Sequence, residues 1–108
     1  VAASDPVIVR STVASGLSTP WDIAFTPDGT MLFTERGGGL GVRLADGTVR
    51  RGLFRPADFV AQDQSGMLGI AIDPAFATNR SVYVYMASTL PSSTGQSGTN
   101  NRVVRLTV

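Results

Sequence analysis

The apolar and polar positions along the chain follow the pattern of short strands joined by turns, and the pattern repeats. Ile23-Ala24-Phe25-Thr26-Pro27 followed by Met31-Leu32-Phe33 returns as Ile70-Ala71-Ile72-Asp73-Pro74 followed by Val82-Tyr83-Val84-Tyr85, an offset of 47 residues from Ile23 to Ile70. Each phrase is a brief apolar run, a proline-containing turn and a second run rich in β-branched or aromatic side chains, which predicts a β-hairpin and not a helix. Pro27-Asp28-Gly29 supplies the first turn, and the second link is longer, through Ala75, Phe76 and Asn79. Two further strands are expected over 40–44 and 48–54, joined by Ala45-Asp46-Gly47, whose Asp-Gly pair suits a tight hairpin turn. A last strand is expected over 102–108.

Four antiparallel strands in the first unit and three in the second, repeating at roughly 40–50 residues, predict an all-β chain of propeller blades packed face to face. Blade one covers about residues 21–55, most of blade two about 66–108, and 1–20 form an N-terminal strand and lead-in, so that 1–108 is a partial β-propeller domain. The first strand of each unit, 21–25 and 67–72, is nearly continuous in apolar residues, as burial on both faces requires. Ala24, Gly69 and Ala71 are small enough for a crowded inner strand. Trp21 opens such a strand and is expected in the core between blades, not as a stacking platform. A closed propeller has about four to eight blades. Two leave sheet faces and edges to be covered by remaining blades or by other copies of the chain.

Composition removes several chemistries. The net charge of +1 is spread along the sequence, which points to neither nucleic acid nor a membrane surface, and no apolar run is long enough to span a bilayer. Every basic residue is Arg; Lys, His and Cys are absent. Schiff-base chemistry, Ser-His-Asp and Cys-His catalysis and the usual zinc or copper sites therefore cannot be built from these residues. The opening Val1-Ala2-Ala3-Ser4-Asp5-Pro6, without Met, reads as a mature terminus left by removal of an export signal, and a secreted or periplasmic location is expected.

Propeller connectivity gathers residues 18–22, 35–39, 56–65 and 88–101 at one end, where the polar side chains Asp22, Glu35, Arg36, Asp58, Gln62, Asp63 and Gln64 concentrate. Asp58 and Asp63 read as solvated loop residues. Glu35 and Arg36 are adjacent on a strand end and point to opposite faces, so each is expected to pair with an ion on another blade. Gly37-Gly38-Gly39 lacks a following helix and a phosphate-binding Lys, and reads as a hairpin loop. The Ser-, Gly- and Thr-rich stretch 88–101 reads as low-complexity rim. Gln64 stands immediately before Ser65-Gly66 and the second inner strand, which aims an amide that can both donate and accept at the channel mouth.

The ordered series Gly16-Leu17, Pro20-Trp21-Asp22-Ile23-Ala24-Phe25, Pro27-Asp28-Gly29, Thr34-Glu35-Arg36 resembles the first blade of the soluble glucose/sorbosone (aldose sugar) dehydrogenases dependent on pyrroloquinoline quinone (PQQ). Gln64-Ser65-Gly66-Met67-Leu68-Gly69-Ile70-Ala71-Ile72-Asp73-Pro74-Ala75-Phe76, then Asn79, Tyr83 and Tyr85, is similar to the family's second blade. The resemblance implies a six-bladed β-propeller, PQQ at the top of the channel, calcium ions, and oxidation of aldose sugars at the anomeric carbon to lactones. In that chemistry a His base takes the hydroxyl proton while hydride passes to the quinone. Carried over residue by residue, only Gln64 matches a position beside cofactor and substrate, with an orienting role in catalysis and a contact to the cofactor. The catalytic His, the quinone-holding Arg and Lys residues and the calcium ligands belong to later blades, so no metal ligand is assigned here. The chain is thus expected to be the first third or so of an exported oxidoreductase and inactive by itself. The alternative is a non-catalytic propeller, a sugar-binding or protein-interaction module.

Overall fold

The computed structural model of the chain describes residues 4–90 and 99–108, and the hydrophobic pattern becomes two antiparallel sheets. The first has the order β1 (Pro20–Phe25), β2 (Met31–Glu35), β3 (Gly39–Arg43), β4 (Val49–Phe54); the second has the order β5 (Met67–Ile72), β6 (Ser81–Ser88), β7 (Asn100–Thr107). The strands of the two units fall where the sequence puts them, with β7 starting two residues ahead of the expected 102, but residues 4–19 form no strand: the N-terminal strand expected within 1–20 finds no sheet edge among the described residues, and the first strand is β1 itself. The longer link in the second sheet is a single helical turn, α1 (Phe76–Asn79), which buries Phe76 and ends on Arg80 in the left-handed conformation. Of the rim predicted over 88–101, residues 91–98 lie outside the described residues. Among the described residues no helix is long and apolar enough to cross a membrane.

Local chemistry sets the turns. Asp28 accepts from the Thr30 amide at 3.2 Å and from the Thr26 hydroxyl, with Gly29 beside it at φ 88°. Asp46 accepts from the Thr48 amide at 2.9 Å, next to Gly47 at φ 92°. A side-chain oxygen bonded two residues on replaces a backbone bond, and glycine takes the positive φ without a Cβ penalty.

Alternation along the strands then builds one core. Leu32, Leu40, Val42 and Phe54 on one face of the first sheet meet Ile70, Ile72, Val82, Val84, Met86, Val104 and Leu106 on the second, with Phe59 and Phe76 completing the cluster. Each large apolar side chain fully buried there contributes about 1.5–3 kcal/mol. On the opposite face Phe33 pairs with Gly41, and its ring occupies the space a Cβ on Gly41 would need.

With only two sheets described, the two-sided burial expected of the inner strands is met on one face alone. Trp21, Ile23 and Phe25 are 52%, 53% and 59% exposed along one face of β1, so Trp21 does not lie in a core between the described sheets. No described sheet packs on that face of β1. The fully buried strand is β2.

Hydrogen bonds also join the sheets along the edge of β5. A register shift between Met67 and Ile70 interrupts its pairing with β6. Here the Met67 amide donates to the Arg36 carbonyl at 3.1 Å, the Leu68 carbonyl accepts from the Thr34 hydroxyl at 2.5 Å, and the Ile70 amide donates to Asp22 Oδ2 at 3.0 Å. Thr34 Oγ1 also accepts from the Asp22 amide at 3.2 Å, so the two side chains act as one bracket. β5 thus has its edge groups satisfied by the first sheet.

At the far end of the second sheet, the Tyr83 hydroxyl donates to Asp73 Oδ2 at 2.6 Å. That bond, followed by the Ala75 amide, holds the Asp73 carboxyl below its ordinary 3.8, and the same carboxylate pushes the Tyr83 phenol above 10.0. A depressed carboxyl contributes stability above its unfolded value that is lost as pH falls through the folded one. A raised phenol contributes stability below its unfolded value that is lost as pH rises through the folded one. Tyr83→Phe is therefore expected to lower the urea midpoint between these limits, with the gap to the parent narrowing as pH is taken below 3.8. A gap that stays constant through that range contradicts the pairing.

Candidate functional site

The candidate site lies at the end of the sheets that carries the β2–β3 turn, and its main element is the segment connecting β4 to β5. Residues 56–60 run back along the end of β6. The Val60 amide donates to the Ala87 carbonyl at 3.1 Å, the Thr89 amide donates to the Asp58 carbonyl at 2.8 Å, and Phe59 bridges Ser88 in antiparallel fashion. The buried Ser88 hydroxyl donates to Asp58 Oδ2 at 2.6 Å. Asp58 is thus half-buried and fastens the segment to β6, which corrects its reading as a solvated loop residue. Phe59 enters the core, and the Arg55 guanidinium stands 5.3 Å from its ring centre.

The segment ends in a tight turn, residues 62–65, closed by the Ser65 amide donating to the Gln62 carbonyl at 2.8 Å. Asp63 occupies the left-handed region at φ 54°. Gln62, Asp63 and Gln64 are exposed, and among the described residues nothing bonds the Gln64 amide. The chain then passes through Gly66 into β5. A Cβ at Gly66 would strike the Arg36 carbonyl, so this position needs glycine for close backbone approach.

Glu35 and Arg36 do face different ways, but neither pairs with an ion on the other sheet as expected. Glu35 is only 2% exposed and accepts from Arg51 Nε at 2.9 Å and Nη2 at 3.1 Å, an ion pair within its own sheet; the Ser18 amide adds a third bond at 3.3 Å. The partner of Glu35 in β3 is Gly39, and a Cβ on Gly38 would collide with the Glu35 carboxylate, so the glycine run makes room for this buried pair. Arg36 instead donates through Nη1 to two carbonyls of the turn, those of Asp63 and Ser65, the latter at 3.3 Å. Asp22 is engaged in the bracket to β5 and also accepts from the Ile23 amide at 2.9 Å. Among the described residues no group of three acidic side chains could hold a metal ion.

The structure therefore separates the seven polar candidates. Asp22, Glu35, Arg36 and Asp58 hold the scaffold, while Gln62, Asp63 and Gln64 are displayed on its outermost turn. Arg51, Ser88 and Thr34 belong to the same framework and carry no local signal of it in the sequence, since the bonds in question reach Glu35, Asp58 and the Leu68 carbonyl, 16, 30 and 34 residues away.

Residues 17–108 match the family described as Glucose / Sorbosone dehydrogenase. The chain belongs to this family. It is 30% identical over 100 residues to quinoprotein glucose dehydrogenase B of Acinetobacter calcoaceticus, with 89% of the chain and 21% of that protein covered. It is 36% identical over 91 residues to an uncharacterized protein of Synechocystis, covering 77% and 22%. Among solved structures it is similar to the PQQ-bound aldose sugar dehydrogenase of Streptomyces coelicolor, with a TM-score of 0.71 at 31% identity over 91% of this chain and 27% of that one. The two sheets are thus part of a glucose/sorbosone dehydrogenase propeller. The chain spans about a fifth of the length of the curated relatives it matches.

The buried Glu35–Arg51 pair yields an asymmetric prediction. Arg51 is 48% exposed and can be rehydrated, whereas Glu35 cannot. Arg51→Met, which strands a buried carboxylate, is expected to cost about 3 kcal/mol, and Glu35→Gln, which leaves a neutral acceptor, distinctly less. Urea unfolding of both variants checks this, and an equal or reversed order contradicts it.

Proposed function

We propose that the complete protein is a PQQ-dependent oxidoreductase that converts aldose sugars to lactones at the anomeric carbon, with residues at about 21–55 as its first blade and about 66–108 as most of its second. One observation carries the reading for this chain. At the end where the polar side chains gather, Gln64 is an exposed amide on the turn leading into β5, with no bonding partner among the described residues. The neighbouring Asp22, Glu35, Arg36 and Asp58 are all committed to the scaffold. The match to the family and the names of the quinoprotein and PQQ-bound relatives support the cofactor and the sugar substrate.

The residues present fit one edge of such a site. An amide can donate to a quinone or carboxylate oxygen and accept from a sugar hydroxyl, and Gln64 offers both groups. PQQ, when bound, supplies the acceptor for the hydride. This chain has no His, so the base that takes the hydroxyl proton comes from elsewhere in the complete protein, and these 108 residues alone are expected not to turn over. Calcium, implied by the family resemblance, finds no ligand cluster among the described residues. Further blades of the complete protein cover the open face bearing Trp21, Ile23 and Phe25.

The work of Gln64 is orientation. It holds the base or the sugar hydroxyl in the geometry of transfer, and orientation lost by truncation costs about a hundredfold in rate. In the complete protein, assayed with PQQ, calcium, glucose and a dye acceptor, Gln64→Ala is expected to slow turnover by about that factor while the melting temperature stays unchanged. Normal turnover, with or without a lowered melting temperature, overturns the assignment.

A further inference from the structure

We infer that Arg36 is the positioning residue for Gln64, acting as a clamp on the turn that presents it; the catalytic side of this inference rests on the function proposed above. The turn is exposed and closed by one backbone bond, from the Ser65 amide to the Gln62 carbonyl. It also contains Asp63 at φ 54°, a left-handed turn conformation that Asp tolerates better than most residues with a Cβ and that still gains from a group fixing the carbonyls around it. The group that fixes those carbonyls is the Arg36 guanidinium. Its Nη1 donates to the carbonyls of Asp63 and Ser65, the residues on either side of Gln64.

The clamp hangs from a fixed point. The Arg36 amide donates to the Thr19 carbonyl at 3.0 Å and the Arg36 carbonyl accepts from the Met67 amide at 3.1 Å, so its backbone is tied to the lead into β1 and to the start of β5. Gly66 lies so close that an added Cβ would come 2.7 Å from Arg36 Cγ, so only glycine at this position lets the Arg36 stem lie against the start of β5. Guanidinium suits the task chemically. It is charged at every relevant pH and presents several donors in a rigid fork, whereas a lysine ammonium offers a mobile point charge. None of the ion pairs among the described residues involves Arg36, so its charge serves carbonyl acceptors. Arg36 thus fixes the backbone on either side of Gln64 and makes no bond to the Gln64 amide itself.

The test uses the complete protein with Arg36→Met, which keeps an unbranched side chain and removes its donors, and Arg36→Lys, which keeps a charged donor group on a single nitrogen without the planar fork. Hydrogen exchange at the Ser65 amide is expected to accelerate about tenfold or more in Arg36→Met, with Arg36→Lys in between. In the quinone-dependent assay, kcat should fall about tenfold in Arg36→Met with KM less affected. The same change made in a Gln64→Ala background should have no further effect on kcat. Unchanged exchange at Ser65, or a rate loss that persists undiminished without Gln64, overturns the inference. If Gln64→Ala alone leaves turnover normal, it is the catalytic reading of Gln64 that fails, and the exchange measurement still decides whether Arg36 holds the turn.

Discussion

The edge of β5 is the constraint on which the rest of the arrangement depends. A strand edge has amides and carbonyls that need partners, and in β5 the irregular stretch between Met67 and Ile70 adds to that need. The first sheet answers with three groups in a row: the Arg36 carbonyl, the Thr34 hydroxyl and the Asp22 carboxylate. Apolar packing between the sheets is non-directional and tolerates sliding, whereas these bonds do not. They fix the register in which Leu32, Leu40 and Phe54 face Val82, Val84 and Met86, and an unpaired group in that seam costs about 1–3 kcal/mol.

The same seam positions the candidate site. The Arg36 carbonyl that receives the Met67 amide belongs to the residue whose guanidinium grips the turn at 62–65. The segment before that turn is fastened independently to the end of β6 through Asp58 and Ser88. Gln64 is therefore held from two directions, although its side chain has no partner of its own among the described residues. The polar end of the molecule reads less as a cluster of reactive groups than as a frame: buried or bonded charges in Asp22, Glu35, Arg51 and Asp58 support a short exposed turn.

What was legible in the sequence was local. Short apolar runs rich in β-branched and aromatic residues marked the strands, Pro-Asp-Gly and Asp-Gly marked the hairpin turns, and a repeat of 47 residues marked the second sheet. Each of these rests on neighbours in the chain. The exposed face of β1 was not legible, because burial of Trp21 depends on how many sheets flank it and not on its own strand. Glu35 was expected to reach another blade, yet its partner Arg51 comes from the same sheet, across a run of glycines whose lack of side chains gave no positive signal. Asp22 did carry a hint, a carboxylate amid the apolar Trp21, Ile23 and Ala24, but its acceptor role toward Ile70 appears only once the sheets are brought together. The place of Gln64 on a turn ahead of an apolar strand was readable from Ser65-Gly66, while its chemical role came from family resemblance alone.

The inter-sheet bracket can be tested most directly by amide hydrogen exchange on Asp22→Ala. If the carboxylate satisfies the edge of β5, the Ile70 amide is protected in the parent and exchanges about tenfold faster or more in the variant, while amides of Val84 and Val104 within the second sheet keep their protection. Equal exchange at Ile70 in the two proteins contradicts the account, because the edge of β5 would then be held by something other than the first sheet.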